Sequence, residues 1–223
     1  MGLRRVADNL RFLGVGKTAV RSAYMACNVV GVLRVYECIK LEPGDLNSGF
    51  GEPEAPFESR MLSREEAGAL PQQPANNVSP EFVEQALANG DECLAIFEGE
   101  TLASYGWYSR RPTRMLETLF VHFDPHWAYM YHGYTKPEYR GHRLHAGGLT
   151  RALHIYADRG LSGLVSIVEH VNYASKISVY RMGFRQFGTI YQLGSRNHFS
   201  LMHTGHCADY GFRIARATRA GSP

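Results

Sequence analysis

The stretch Tyr131-His-Gly-Tyr-Thr-Lys-Pro-Glu-Tyr-Arg-Gly-His-Arg-Leu-His-Ala-Gly-Gly-Leu149 constrains this chain more than any other. It reads as a strand, a turn marked by Pro137, a basic loop containing Gly141, and then a helix. Backbone N–H groups at a helix start have no intrahelical acceptor and carry partial positive charge, so a pyrophosphate group settles there readily.

The chain has 223 residues, enough for one domain or one domain with an extension. The net charge of +3 is too mild to argue for a nucleic-acid partner. Its distribution is uneven: Arg4, Arg5, Arg11, Lys17, Arg21 and Arg34 stand against Asp8 alone in the first 34 residues. That segment is also amphipathic, so packing on the domain, docking on an acidic carrier protein and peripheral contact of residues 1–30 with an anionic membrane are all open. Cys27, Cys38, Cys93 and Cys207 are scattered, which suits a reduced cytoplasmic setting, at the inner membrane face if the segment binds lipid. No apolar run reaches the length of a membrane span, and no secretory signal is expected. Val6 stands where a myristoylation motif wants Ser or Thr. Gly14-Val-Gly-Lys-Thr18 imitates part of a nucleotide P-loop, but Arg11 occupies the position of its first glycine and no strand precedes it.

Hydrophobic spacing predicts helix over 3–30, broken near Gly14 and Gly16, then a strand over Val32–Leu41 and a linker over 42–56. A strand at Phe57–Leu62 leads into a capping box, Ser63-Arg-Glu-Glu66. Ser79-Pro80 caps a helix that ends at Asn89-Gly90. Cys93–Glu98 and Leu102–Ser109 form a hairpin through Gly99-Glu100. Leu116–Phe123 and Trp127–Thr135 are expected to pair as a second hairpin. A helix over Leu144–Arg159, a buried strand over Leu164–Glu169, a helix from Asn172 to Met182 and a closing strand pair, Phe184–Leu193 with Asn197–His203, complete an α+β chain. The pairs His122/His126 and His203/His206 lack further ligands at useful spacing, so no metal site is expected.

Downstream lies a second block, Asn172-Tyr-Ala-Ser-Lys-Ile-Ser-Val-Tyr-Arg-Met-Gly-Phe184. The two blocks, in this order and at this separation, resemble the GCN5-related N-acetyltransferase (GNAT) superfamily. Its motif Arg/Gln-x-x-Gly-x-Gly/Ala, with a proline three residues earlier, falls on Pro137 and Arg140, but Arg143 and His145 fill the two small positions. A shifted register, Arg143-x-x-Ala146-x-Gly148, fits the letters and breaks the spacing from Pro137. The resemblance implies a central mixed, mostly antiparallel sheet whose middle strands splay, flanked by helices. It divides the chain into an N-terminal helix–strand extension and linker (1–56), a GNAT-like domain (57–205) and a tail (206–223).

The resemblance also implies acetyl-CoA, or another acyl-CoA, as co-substrate and a small-molecule primary amine as acceptor, joined by direct attack. It places Tyr134 and Thr135 beside the pantetheine arm, and Arg140, Gly141, His142, Arg143, Leu144, His145 and Ala146 around the pyrophosphate. Asn172 and Ser175 follow at the start of the next helix. The family's thiolate-protonating Tyr position is Val179 here; Tyr180 lies about 100° further around the helix, as a substitute proton donor or a core tyrosine. Glu169 is a candidate base or a solvated strand end, and His132 a candidate base or an ordinary strand histidine. Tyr105, Trp107, Tyr108, Tyr129 and Tyr131 form an aromatic wall suited to an apolar acceptor, a long acyl chain or plain sheet packing. A carrier-protein-dependent long-chain N-acyltransferase and an inactive fold that only binds CoA or a partner are the rival readings.

Overall fold

The computed structural model describes residues 3–116, 118–195 and 198–216, with side chains from Gly14 onward except Val30. Arg4, Arg5 and Arg11, and the apolar spacing read for residues 3–13, therefore lie outside the described side chains. In chain order the elements are α1 (Leu3–Val30), β1 (Val32–Leu41), β2 (Phe57–Met61), α2 (Arg64–Ala69), α3 (Pro80–Asn89), β3 (Glu92–Glu98), β4 (Thr101–Ser109), β5 (Thr113–Leu116), β6 (Leu119–His122), β7 (Trp127–Thr135), α4 (Leu144–Asp158), β8 (Gly163–Glu169), α5 (Tyr173–Met182), β9 (Arg185–Gly194), β10 (Phe199–Gly205) and β11 (Arg213–Arg216).

Local chemistry explains most boundaries. Gly14, at φ 74° and ψ 170°, breaks α1, and the Thr18 hydroxyl donates to its carbonyl at 2.9 Å. Asn28 joins the end of α1 to β1: its amide donates to Tyr24 O and Leu33 O, and its Oδ1 accepts from Leu33 N. Ser63 and Glu66 form both halves of a capping box on α2. Ser79 caps α3, and Gly90 at φ 82° ends it.

The main sheet has eight strands in the order β10-β9-β1-β8-β7-β4-β3-β2, antiparallel throughout except between β7 and β8. A second sheet runs β11-β6-β5. Two expectations change here. Leu116–Phe123 does not pair with Trp127–Thr135: both edges of β7 are taken, by β4 and β8, so β6 pairs with β5 and with β11 from the C-terminal segment. The strand assigned to an N-terminal extension is an inner strand, hydrogen-bonded to β8 and β9. A boundary at 56/57 or at 205/206 thus cuts through paired sheet.

One core, with Leu149, Leu153, Tyr156 and Met182, lies between the sheet and helices α4 and α5. On the other face, Tyr129, Phe187 and Phe212 fill the space under the small sheet, and Val83, Tyr105 and Trp107 pack beneath α2 and α3. Among the described residues no helix is long and apolar enough to cross a membrane.

The N-terminal strand brings one buried charge into this frame. Glu37 is 5% exposed and accepts from His170 Nδ1 at 2.7 Å, Lys176 Nζ at 2.5 Å and Tyr180 Oη at 2.5 Å. Burial pushes its carboxyl up, but the donors from Lys176, Tyr180 and His170 outweigh that and hold it below the usual range. Glu37→Leu leaves the Lys176 ammonium, whose side chain is 17% exposed, without its carboxylate. We expect it to lower unfolding free energy by about 2–4 kcal/mol in urea titrations. A loss below 1 kcal/mol would show that Lys176 finds water instead.

Candidate active site

The basic loop leaves β7 through Lys136, whose N–H donates to Ala103 O at 3.0 Å, and turns at Pro137–Tyr139. Gly141 then adopts φ 94°, and Arg143, the residue before α4, adopts φ 58°. Arg143 stands at the motif's first small position and keeps the left-handed backbone a glycine would give. No side chain caps α4, and the first backbone bond at its start runs from Gly147 N to Arg143 O. The N–H groups of Leu144, His145 and Ala146 have no acceptor within the helix. Arg140, His142 and Arg143 are exposed around them. In the shifted register the small residues Ala146 and Gly148 fall inside α4; a Cβ on Gly148 would meet Ile96 at 3.3 Å.

Residues 42–56 are not a free linker. Thr150 Oγ1 donates to Phe50 O at 3.2 Å, Glu52 meets His154 at 2.7 Å and Arg151 at 3.4 Å, and Pro53 sits 3.0 Å from where a Gly147 Cβ would lie. A cavity of about 340 Å³ remains between this segment and His142, Arg143 and Leu144.

The cleft itself comes from an incomplete pairing. β7 and β8 pair only over Trp127–Tyr129 and Gly163–Val165, and Ser166 Oγ donates to Met130 O at 2.7 Å just beyond. From there the strands part. The β4–β7 register places Trp107 opposite His132 and Tyr108 opposite Met130, so Tyr131 is an extra, bulged residue. Because Lys136 N–H points to β4, alternation turns the peptide groups of Gly133 and Thr135 into the cleft and that of Tyr134 toward β4. Of the two residues that the resemblance sets beside the pantetheine, Thr135 turns its peptide group into the cleft and Tyr134 turns its own away. Thr135 Oγ1 is hydrogen-bonded to Ser104 Oγ at 2.8 Å. His145 lies over Gly133, where a Cβ would meet its Cε1 at 2.9 Å, and burial pushes its imidazole pKa down.

The three candidate acid–base residues separate. His132 is at the cleft, its ring 4.6 Å from Phe82 and near-parallel to Tyr105 at 5.9 Å, with Nε2 3.4 Å from Tyr105 Oη. Burial lowers its pKa below the ordinary 6.5, so the neutral, proton-accepting form prevails at neutral pH. With Ile167 it lines a cavity of about 670 Å³ on the face of the sheet opposite α4. Glu169 is held from the N-terminal segment, its Oε1 accepting from Arg34 at 2.6 Å and from Tyr24 Oη at 3.0 Å. Tyr180 points to β1 and donates to Glu37, while Val179 takes the inward position and is buried. Asn172 caps α5, its Oδ1 accepting from Ser175 N at 3.3 Å.

Asp91 escaped the reading of the sequence. It is 7% exposed, accepts from Tyr131 Oη at 2.7 Å and Asn89 Nδ2 at 2.8 Å, and burial raises its pKa against those donors. It directly follows the helix stop Asn89-Gly90, and nothing in its local sequence distinguishes it. Among the described residues no three His, Cys, Asp or Glu side chains converge as metal ligands would.

The loop conformation is testable without any ligand. Arg143→Gly should leave stability within about 0.5 kcal/mol, whereas Arg143→Val, forcing a β-branched residue to positive φ, should cost about 1–2 kcal/mol in urea denaturation. Equal effects would mean that the position does not hold a left-handed backbone.

The sequence profile of the acetyltransferase (GNAT) family matches residues 60–184, which spans both the cleft and the loop. No curated protein sequence matches the chain. Among solved structures, a GNAT-family acetyltransferase from Colwellia psychrerythraea is similar at 14% identity and a TM-score of 0.53, over 78% of this chain and 62% of that one. A GCN5-related N-acetyltransferase from Kribbella flavida is similar at 18% identity and a TM-score of 0.48, over 86% and 66%. A GCN5-related N-acetyltransferase-like protein from Streptococcus suis gives 14% identity and 0.48, over 78% and 67%. The chain thus spans less than two thirds of the Colwellia structure, whose likeness shows the fold. With more than half its length inside the family profile, the chain belongs to the GNAT acetyltransferase family.

Proposed function

We propose that this protein moves an acyl group, most simply acetyl, from a CoA thioester to a primary amine by direct attack. The observation that carries the reading is the parting of β7 and β8, with an uncapped helix start on one face and the His132-lined cavity on the other. The loop fits a pyrophosphate: Gly141 and Arg143 turn the backbone through positive φ, and the first N–H groups of α4 are left without side-chain acceptors. When bound, an acyl-CoA would supply an activated acyl carbonyl; the amide C–N bond forms as the thioester C–S bond breaks, and CoA leaves as the thiol with the proton balance closed by the one the amine gives up. Arg140, whose guanidinium has no hydrogen bond or ion pair among the described residues, adds a charge-assisted donor at the phosphates. The peptide groups of Gly133 and Thr135 offer hydrogen bonds to an extended chain lying in the cleft. His132 takes the proton from the acceptor ammonium, either directly or through a water. Glu169 is the weaker candidate, because Arg34 and Tyr24 already occupy its Oε1.

An acyl-CoA donor is favoured over a carrier protein by where the N-terminal charge goes. Arg34 pairs with Glu169, and Lys17 lies over the Tyr173 ring at 5.5 Å, so both serve contacts within the domain.

The test combines binding with a pH profile. CoA should raise the melting temperature, since a ligand of the folded state stabilises it. Arg140→Ala should weaken CoA binding about tenfold or more, as loss of a charge-assisted bond does. For acetyl transfer, kcat should rise with pH through the lowered His132 pKa and level off above it, because only the neutral ring accepts a proton. His132→Gln should lower kcat by about a hundredfold and remove that acid limb. An acid limb that survives the substitution moves the base elsewhere. CoA binding with no transfer to any amine would leave a binding protein.

A further inference from the structure

The acceptor side of the cleft has a composition that narrows the amine, granted the acyl-transfer reading above. Tyr129 and Tyr131 lie side by side, rings 5.8 Å apart and only 10° from parallel. Phe82 on α3 faces both Tyr131, at 5.8 Å, and His132, at 4.6 Å. The bulge at Tyr131 is what sets two consecutive residues, Tyr131 and His132, against that one ring, so the aromatic wall runs up to the proposed base. Tyr131 spends its hydroxyl on Asp91, and Tyr105 spends its own on Asn76 O at 2.9 Å. These side chains therefore present ring surface rather than hydroxyl groups. At the mouth Leu116 is 51% exposed although it borders the cavity, and Ile167 forms part of the lining next to His132.

The charges argue in the same direction. A polyamine or an aminoglycoside carries several ammonium groups and needs several carboxylates to meet them. Among the described residues the cavity lining holds one carboxylate, the exposed Glu81, and one guanidinium, the exposed Arg114, which cancel. The volume of about 670 Å³ lies within the range of small-molecule sites. We infer that the acceptor is an arylalkylamine, a single primary amine on an aromatic body, with its ring against Tyr129, Tyr131 and Phe82 and its nitrogen toward His132. Ring-on-ring contact and displaced water supply the affinity, and the short alkyl link carries the nitrogen to the parted strands.

The full chain should be assayed with acetyl-CoA against phenethylamine, butylamine and spermidine by release of free thiol. Phenethylamine should lead in kcat/KM by about tenfold or more, the worth of one buried ring face. Phe82→Ala, and Leu116→Ser at a site exposed enough to leave folding intact, should raise the KM for phenethylamine more than that for butylamine. Calorimetry of phenethylamine with the protein free of CoA should show the same weakening, which a general loss of catalysis would not produce. The inference is overturned if spermidine is preferred, if both substitutions affect the two monoamines equally, or if they alter the preference between acetyl-CoA and octanoyl-CoA instead, which would make the cavity an acyl-chain site. Absence of transfer from any acyl-CoA to any of the three amines, with CoA still bound, would instead remove the acyl-transfer reading on which it stands.

Discussion

Everything at the candidate site depends on two parallel strands that pair for three residues and then separate. A separated strand leaves peptide groups without partners, which is costly unless they reach water or a ligand. β7 can part from β8 because its other edge is held by β4 from Ser104 to Ser109. β8 can part because β1 holds its other edge from Leu164 to Glu169. The opening is therefore limited to one edge of each strand. The bulge at Tyr131 adds to the divergence, since an extra residue bends its strand and increases local twist.

The N-terminal segment is thus structural to the cleft as well as attached to it. β1 is the strand that supports β8, and Asn28 fixes the angle between α1 and β1 through three hydrogen bonds. Glu37 on β1 gathers donors from the approach, the first half and the last turn of α5. Arg34 and Tyr24 converge on Glu169 at the end of β8. A chain lacking residues 24–41 would lose the pairing partner of β8 and leave Lys176 without its carboxylate.

What was legible in the sequence was local. The caps at Ser63 and Ser79, the stop at Gly90, and the order of strand, turn, loop and helix after Tyr131 all follow from residues within a few positions of one another. Strand partnership was less legible because it is decided by which edges remain free. Nothing near Val32 says that its strand inserts between β8 and β9, and nothing near Leu119 says that Arg213–Arg216 will pair there. Side-chain direction was hidden for the same reason. The sequence leaves Tyr180 open to the cleft or the core, and only the fold shows the β1 carboxylate that its hydroxyl meets. Asp91 became notable only when the bulge aimed Tyr131 at it.

The departures at Arg143 and His145 separate two roles that a small residue can combine. One is conformational freedom, the other is empty space. Arg143 gives up the residue type and keeps the conformation, at a cost of about 1 kcal/mol for a left-handed non-glycine backbone. Its guanidinium also lies 5.9 Å from the Phe50 ring, so part of that cost is offset by the segment packed across α4. His145 gives up the space, and the chain answers with Gly133 directly beneath, where any side chain would strike the imidazole. The two substitutions are therefore tolerated for different reasons, one by backbone strain accepted locally and one by a compensating absence on the facing strand. A loop that keeps its turn while exchanging glycine for arginine holds an anion by charge as well as by backbone, and its affinity should fall more steeply with salt than that of a loop relying on peptide groups alone.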